Sequence, residues 1–287
     1  MGKNNDNLIR KSIVEQGEFS IKKKFSQNFL LDENIINKII DSANIDDLTG
    51  VIEIGPGLGA LTKKLVKKAN KLLIYEIDKD LIPYLEEFLK DYKNIFLLNK
   101  DILKTDVNLD IKTYLKGVKR IVVISNLPYH ITTPIIMKFL EEVNNINSMI
   151  LMMQQEVAKR ITSKPNTKDY NALSVIIQHQ TNAKYLFKVS KNVFYPQPKV
   201  DSAVIKLDII TPPDNKNDNK EFYSFVHQCF SQRRKTLVNN LSNGYEIYSK
   251  EELMNILEEL GLHSMVRAEA LKLDHFIILY KKYFQKK

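Results

Sequence analysis

The sequence predicts an α/β chain, a mostly parallel sheet covered by helices on both faces, followed by a smaller and purely helical domain. Three observations carry this. Short β-branched runs alternate with amphipathic helical stretches up to about residue 210. A glycine-rich turn, Gly55-Pro56-Gly57-Leu58-Gly59, joins the first strong strand to its helix. The polar, proline-containing stretch 211–218 reads as a linker, and after it only helical periodicity remains. At 287 residues the chain suits one large or two unequal domains. The expected division is a polar arm over 1–20, the α/β domain over 21–210 and the helical domain over 211–287.

Each element follows from its own pattern. Asp32 is placed to cap a helix over 33–43, in which Ile35, Ile36, Ile39 and Ile40 share one face. Residues 51–54 form a β-branched strand that runs into the glycine turn and then a helix carrying Leu61, Leu65 and Val66. A second strand over 72–77 precedes an amphipathic helix with Leu81, Leu85 and Leu89. Further strands are expected over 95–98, 121–124 and 149–153. Strands alternating with helices imply right-handed crossovers and a parallel sheet. Two apolar runs, 185–189 and 203–207, flank Phe194-Tyr195-Pro196-Gln197-Pro198 and are expected to form an antiparallel hairpin closing the sheet edge. Helical runs follow near 223–241, 250–260 and 274–284. In the first of these, Phe222, Phe225, Val226, Phe230 and Leu237 make the apolar face, with Arg233-Arg234-Lys235 on the other.

Composition narrows the function. With 44% hydrophobic and 27% charged residues the chain is neither a disordered tail, a coiled coil nor a collagen. No stretch nears the roughly 18 apolar residues of a membrane span, and residues 1–16 lack an apolar signal core, so a cytoplasmic protein without membrane attachment is expected. Cys229 is the only cysteine, which excludes an internal disulfide and a Cys-based zinc site. The five histidines show no ligand spacing, so metal catalysis is not expected. The net charge of +9 suits a polyanionic partner, although a lysine-rich composition alone would also produce it. Residues 214–287 hold 12 basic and 10 acidic side chains, so most of the excess lies before them.

Gly55, Gly57 and Ala60 satisfy the G-x-G-x-x-G/A pattern, and Glu76 lies at the distance from which an acid reaches ribose hydroxyls. Both NAD(P) and S-adenosylmethionine use this geometry, and such a turn also serves plain strand–helix packing. Three features favour S-adenosylmethionine. Glu53 just before the turn suits an ammonium and would repel a pyrophosphate. Asp101 follows the third strand, where an acid can accept an adenine amine. The fourth strand ends in Asn126-Leu127-Pro128-Tyr129, and strand carboxyl ends converge on one crevice.

That last turn fits the chemistry of an aromatic amine, whose lone pair is delocalised into the ring. The Asn126 side-chain oxygen and the carbonyl of Leu127 or Pro128 can each accept one N–H, which favours a pyramidal nitrogen aimed at a methyl donor. Tyr129 can stack on the base. Asn126-Leu127-Pro128-Tyr129 matches the (D/N/S)-P-P-(Y/F) type motif of amino-methyltransferases, and the chain resembles the rRNA adenine N6-dimethyltransferases nearly end to end. The likeness takes in Gln27-Asn28-Phe29-Leu30, Glu53-Ile54-Gly55-Pro56-Gly57, Glu76-Ile77-Asp78, Gln155-Glu156-Val157-Ala158, the stretch 194–202 and Gln232-Arg233-Arg234-Lys235-Thr236-Leu237. Ser26 stands where the family usually has glycine.

The resemblance implies a Rossmann-like S-adenosylmethionine-dependent methyltransferase domain with a small C-terminal helical domain. It implies cofactor contacts from Asn28, Leu30, Gly55, Glu76, Asp101 and Asn126, with Asn28 and Leu30 resting on it alone. It places Asn126, Leu127, Pro128 and Tyr129 at the reacting amine, with Phe194 on the adenine's other face. Leu127 and the Arg-Arg-Lys-Thr-Leu segment look like the small-subunit branch, whose substrate is two adjacent adenosines near the 3′ end of 16S rRNA in the 30S subunit, with a role in subunit biogenesis. Lys22, Lys23, Lys24, Arg233, Arg234 and Lys235 are the expected phosphate contacts, and a monomer is expected. A large-subunit methyltransferase, a binding factor that keeps the fold, and an NAD(P) oxidoreductase are the rival readings. The last leaves Asn126 to Tyr129 unexplained.

Overall fold

The computed structural model describes residues 28–210, 216–244 and 248–284. The expected arm over 1–20 and Lys22, Lys23 and Lys24 lie outside the described residues. In chain order the elements begin with β1 (Phe29–Leu30), α1 (Glu33–Ser42), β2 (Thr49–Ile54), α2 (Thr62–Lys68), β3 (Lys71–Glu76), α3 (Ile82–Leu89) and β4 (Ile95–Asn99). Then come α4 (Val107–Tyr114), β5 (Arg120–Asn126), α5 (Thr132–Glu142), β6 (Ser148–Gln154), α6 (Gln155–Thr162), α7 (Ala172–Gln180) and β7 (Thr181–Val189). The chain ends with β8 (Phe194–Tyr195), β9 (Ser202–Ile209), α8 (Lys216–Cys229), α9 (Leu237–Gly244), α10 (Lys250–Glu259) and α11 (Leu273–Phe284).

The described residues form two compact units. One holds those up to Ala158 and those from Lys184 to 210; the other holds Lys159–Ala183 and those from 216 onward. The linker near 211 therefore marks one division, and a second falls inside the stretch that the sequence reading kept whole. The reason is packing: α7, from the middle of the chain, lies against α8 and α11.

The first unit is built on a seven-stranded sheet of order β4-β3-β2-β5-β6-β9-β7. The pairs β3–β4, β2–β3, β2–β5 and β5–β6 are parallel, and β9 runs antiparallel to β6. The two strands expected at the sheet edge are both there, with β9 inside and β7 outermost. All six residues of β2 are buried, and Ile52, Val122, Ile124, Ile150 and Met152 are fully enclosed, as a sheet covered on both faces demands. Chain order reverses at β2, with β3 on one side and β5 on the other, which opens a crevice beyond their carboxyl ends.

Local signals act as expected at α1, where the Asp32 carboxylate accepts from Asn34 N at 2.8 Å and Ile35 N at 3.0 Å. A two-stranded antiparallel pair, β1–β8, was not anticipated; it sets Leu30 opposite Phe194. In the second unit, the single helix expected near 223–241 is two. Residues 230–236 form a turn, so Arg233, Arg234 and Lys235 lie on a turn and not on a helix face. Asn240 causes the break by donating to Cys229 O at 2.7 Å and Gln232 O at 3.2 Å, while Thr236 Oγ1 accepts from Asn239 N and starts α9. Among the described residues no helix is long and apolar enough to cross a membrane.

Candidate active site

A cavity of about 310 Å³ opens at the carboxyl ends of β2, β3 and β5, a volume within the range of small-molecule sites. It brings together Asn28, Leu30, Gly55, Glu76, Asp101, Asn126, Leu127, Pro128 and Tyr129, residues scattered over a hundred positions of sequence.

The glycine turn shapes its floor. Gly55 has φ +64° and donates its N–H to Tyr75 O at 2.8 Å, which ties the end of β2 to β3. Gly57 has φ +56°, and a Cβ there would stand 3.0 Å from two ring carbons of Phe29, itself part of the cavity wall. The turn must therefore be glycine on both counts.

Two carboxyl groups face this floor. Glu53 is fully enclosed, and its Oε2 has no hydrogen-bond partner. Burial, with the charge of Glu76 adding to it, pushes its pKa up to about 8. Glu76 accepts Asp78 N at 2.7 Å, and burial pushes it up to about 7. A buried carboxyl with one oxygen unpartnered, in a cavity wall beside a second acid, fits a cationic ligand and disfavours a pyrophosphate. Asp101 is steadied by accepting Leu103 N at 3.0 Å. Between the acids the wall is apolar. Ile77, 46% exposed, lines the cavity together with Leu81 and Leu103. A slot with acids at its ends and aliphatic walls suits an adenosine bearing a charged amino-acid tail, which is the make-up of S-adenosylmethionine.

At the end of β5 the backbone is held on several sides. Ser125 Oγ donates to Ile54 O at 2.5 Å, and Leu127 N donates to Met152 O at 3.0 Å. Leu127 itself is 1% exposed and anchors the turn from below. Asn126 Nδ2 donates to Asn28 O at 3.2 Å, which turns its Oδ1 to the other side as an acceptor. The Pro128 carbonyl already accepts Ile131 N at 3.2 Å and Thr132 Oγ1 at 3.1 Å. Tyr129 OH is hydrogen-bonded to Ser202 Oγ at 2.8 Å, and burial raises its pKa further, so it stays a neutral phenol.

Some expected residues lie elsewhere. Phe194, 4% exposed, is packed in the hydrophobic core opposite Leu30 and does not line the cavity. In the second unit, Arg233, Arg234 and Lys235 are all exposed, and Arg233 donates to Lys168 O at 2.9 Å and lies 3.4 Å from Glu269. Phe29, Ile77, Leu103, His130 and Ile131 line the cavity without having been singled out from sequence. For Ile77 a signal existed, an isoleucine left at the carboxyl end of a buried strand directly after its acid.

Comparison with known proteins agrees with this geometry. The sequence profile of the family described as ribosomal RNA adenine dimethylase matches residues 18–284. The chain is 45% identical over 274 residues to ribosomal RNA small subunit methyltransferase A of Geobacillus sp. (strain WCH70), covering 94% of each chain. It is 42% identical over 275 residues to the protein of that name from Staphylococcus haemolyticus (strain JCSC1435), covering 95% of this chain and 93% of the other. Among solved structures, a dimethyladenosine transferase from Plasmodium falciparum superposes with a TM-score of 0.74 at 26% identity, over 90% of this chain and 98% of that one. The 23S rRNA methyltransferase ErmE superposes with a TM-score of 0.68 at 25% identity, over 89% and 99%. This chain belongs to the ribosomal RNA adenine dimethylase family.

Proposed function

We propose that this chain uses S-adenosylmethionine to convert two adjacent adenosines near the 3′ end of 16S rRNA, within the small ribosomal subunit or its precursor, to N6,N6-dimethyladenosine. The observation that carries the reading is the Asn126–Tyr129 turn opening into the same cavity as Glu53, Glu76 and Asp101. The relatives named for the small subunit, at 42–45% identity over most of the chain, favour that subunit over the large one.

When bound, S-adenosylmethionine supplies an electrophilic methyl group, whose S–C bond breaks as the N–C bond forms. The remainder is the work of the chain. Asn126 Oδ1, oriented by the hydrogen bond of its amide nitrogen to Asn28, accepts one N6–H. The Pro128 carbonyl is occupied by Ile131 and Thr132, so the Leu127 carbonyl is the second acceptor. Two acceptors at an angle localise the amine lone pair and fix its direction, and positioning supplies most of the acceleration. Tyr129, its hydroxyl anchored on Ser202, offers a ring for stacking and faces the cation that develops on nitrogen. The N6 proton becomes strongly acidic once the methyl has transferred and leaves to water, so a neutral Tyr129 is sufficient and no base is needed. The adenosine must leave its stack to reach this turn. Arg234 and Lys235, both exposed, and the Lys22-Lys23-Lys24 cluster contact RNA phosphates in this reading. The protein works as a cytoplasmic monomer.

The test is labelled methyl transfer from S-adenosylmethionine to unmethylated small subunits, free 16S rRNA and large subunits, with the product nucleosides identified. N6,N6-Dimethyladenosine in small-subunit RNA supports the reading. Label confined to large-subunit RNA, or tight cofactor binding with no transfer at all, refutes it.

A further inference from the structure

Beside the cofactor cavity the first unit carries a second, polar cavity of about 360 Å³ at the carboxyl end of β6. We propose that this cavity, lined by Gln154, Gln155, Glu156, Lys191, Lys199, Val200 and Asp201, is a nucleotide subsite that holds the adenosine next to the one being methylated. The inference rests on the functional reading above and specifies the substrate of the same site.

Position is the first argument. β6 is the parallel neighbour of β5, with Met152 opposite Asn126, so the end of β6 is one strand from the acceptor turn. Gln154 pairs in register with Ser202 on β9, and Ser202 is the residue that holds the Tyr129 hydroxyl. Strand pairing and one side-chain hydrogen bond thus link the second cavity to the ring that stacks on the acceptor. Neighbouring nucleotides of one strand would occupy neighbouring strand ends.

Chemistry is the second argument. A primary carboxamide matches the N6 and N7 edge of adenine with one acceptor and one donor. Gln155 Nε2 is engaged with the Tyr185 hydroxyl at 3.2 Å, while the Gln154 carboxamide has no hydrogen-bond partner among the described residues. Gln154 is therefore the base reader and Gln155 part of the frame. Val200, 46% exposed, gives the base an apolar surface. The charges of the lining are mixed, Glu156 and Asp201 beside Lys191 and Lys199. Asp201 is spent on the fold: its Oδ1 accepts Lys191 N at 3.0 Å, its Oδ2 is 2.7 Å from Lys188 Nζ, and its carbonyl accepts Gln155 N. Lys199 is exposed and makes no ion pair among the described residues, which leaves its ammonium for a phosphate. Unstacked bases of single-stranded RNA are recognised in this manner, by edges and a cationic rim. A pocket for one adenosine beside a pocket that methylates another gives a physical reason for two adjacent targets.

The test uses the full chain and small-subunit particles reconstituted with 16S rRNA in which one or the other of the two adenosines is replaced by uridine. The proposal expects the wild-type kcat/KM on the remaining adenosine to fall about tenfold in whichever of the two RNAs has lost the base on the subsite's side of the acceptor, within the range of one bidentate base contact. Gln154→Ala lowers kcat/KM on unreplaced RNA by a similar factor, shows no further loss on uridine-containing RNA, and keeps the wild-type Kd for S-adenosylhomocysteine. Lys199→Glu, at an exposed position, raises KM and lowers the salt slope of binding by about one. A wild-type enzyme indifferent to the neighbouring base, additive losses in Gln154→Ala, or an unchanged salt slope in Lys199→Glu overturns the subsite alone. Failure of the wild type to methylate unreplaced particles overturns the functional reading and the subsite with it.

Discussion

The protonation of Glu53 makes cofactor affinity a function of pH, and the structure gives both the sign and the size. The ordinary carboxyl value of 4.5 is pushed up to about 8 by burial beside Glu76. Below that value the ligand-free site holds a neutral acid, whereas the ammonium of the cofactor needs a carboxylate. Binding must therefore expel a proton, and affinity rises with pH by up to tenfold per unit until about pH 8, where the ligand's own α-amino group, near 8, begins to lose its charge. Between pH 6 and pH 7 the wild-type Kd should fall about tenfold from Glu53 alone. Glu76, raised to about 7, adds to the slope. Glu53→Gln removes one proton from the balance and leaves the part that belongs to Glu76. Calorimetric titration at pH 6, 7 and 8, in buffers of different ionisation enthalpy, counts those protons directly. The same shift acts on folding: an acid whose pKa is raised in the folded state stabilises the chain most below 4.5 and loses that contribution as pH rises through about 8. Ligand-free Glu53→Gln should then gain stability over the wild type above pH 8, on the order of 5 kcal/mol. An equal proton count in wild type and Glu53→Gln refutes the assignment of the buried acid to the ammonium.

Four further outcomes are expected. Asn126→Ala should lower kcat for methyl transfer by about a hundredfold or more while RNA affinity, measured by filter binding, stays near wild type, because it removes an acceptor at the reacting amine and no phosphate contact. Tyr129→Ala should cost about 1–3 kcal/mol in kcat/KM, and Tyr129→Phe about 1 kcal/mol or less, since only the tether to Ser202 is lost. Gly57→Ala should lower Tm by about 3–6 °C from left-handed backbone strain alone, and weaken cofactor binding by displacing the Phe29 ring. Arg234→Glu with Lys235→Glu should reduce the salt slope of RNA binding by about two, while Arg233→Ala, which cuts the tie to Lys168 and Glu269, should show mainly in Tm.

Legibility in the sequence followed the distance over which each feature is decided. The strand, glycine turn and acid at Val51 to Glu76 are local patterns whose chemistry is written in consecutive residues, and the cavity gathers those residues with Asp101 and Asn126. The β1–β8 pair is only two residues long on each strand and joins segments more than 160 positions apart, so no periodicity marks it. The resemblance puts Phe194 at the adenine, and nothing local in the sequence shows that this pair packs it in the core opposite Leu30. The segment Lys159–Ala183 groups with α8 and α11, which lie beyond the linker, and nothing local in its sequence signals that packing. The turn carrying Arg233 to Lys235 was concealed by a continuous apolar face, and only Asn240, reaching back to Cys229 and Gln232, ends the helix.

The acceptor turn shows how the two kinds of information combine. Its four letters name a side-chain amide and two candidate carbonyls, and on sequence grounds Leu127 and Pro128 are equivalent as second acceptors. Thr132 and Ile131 break that equivalence by occupying the Pro128 oxygen. The orientation of the Asn126 amide is decided by the Asn28 carbonyl, 98 positions away. The segment holding Asn28 therefore contributes to catalysis by facing an oxygen toward the substrate amine, in addition to any contact it makes with the cofactor. It follows that loss of the β1–β8 pairing, which steadies Phe29 and Leu30 next to Asn28, should lower kcat for methyl transfer as well as cofactor affinity. A variant such as Phe194→Ala that weakened binding alone would show that the Asn126 amide is oriented by something other than this strand.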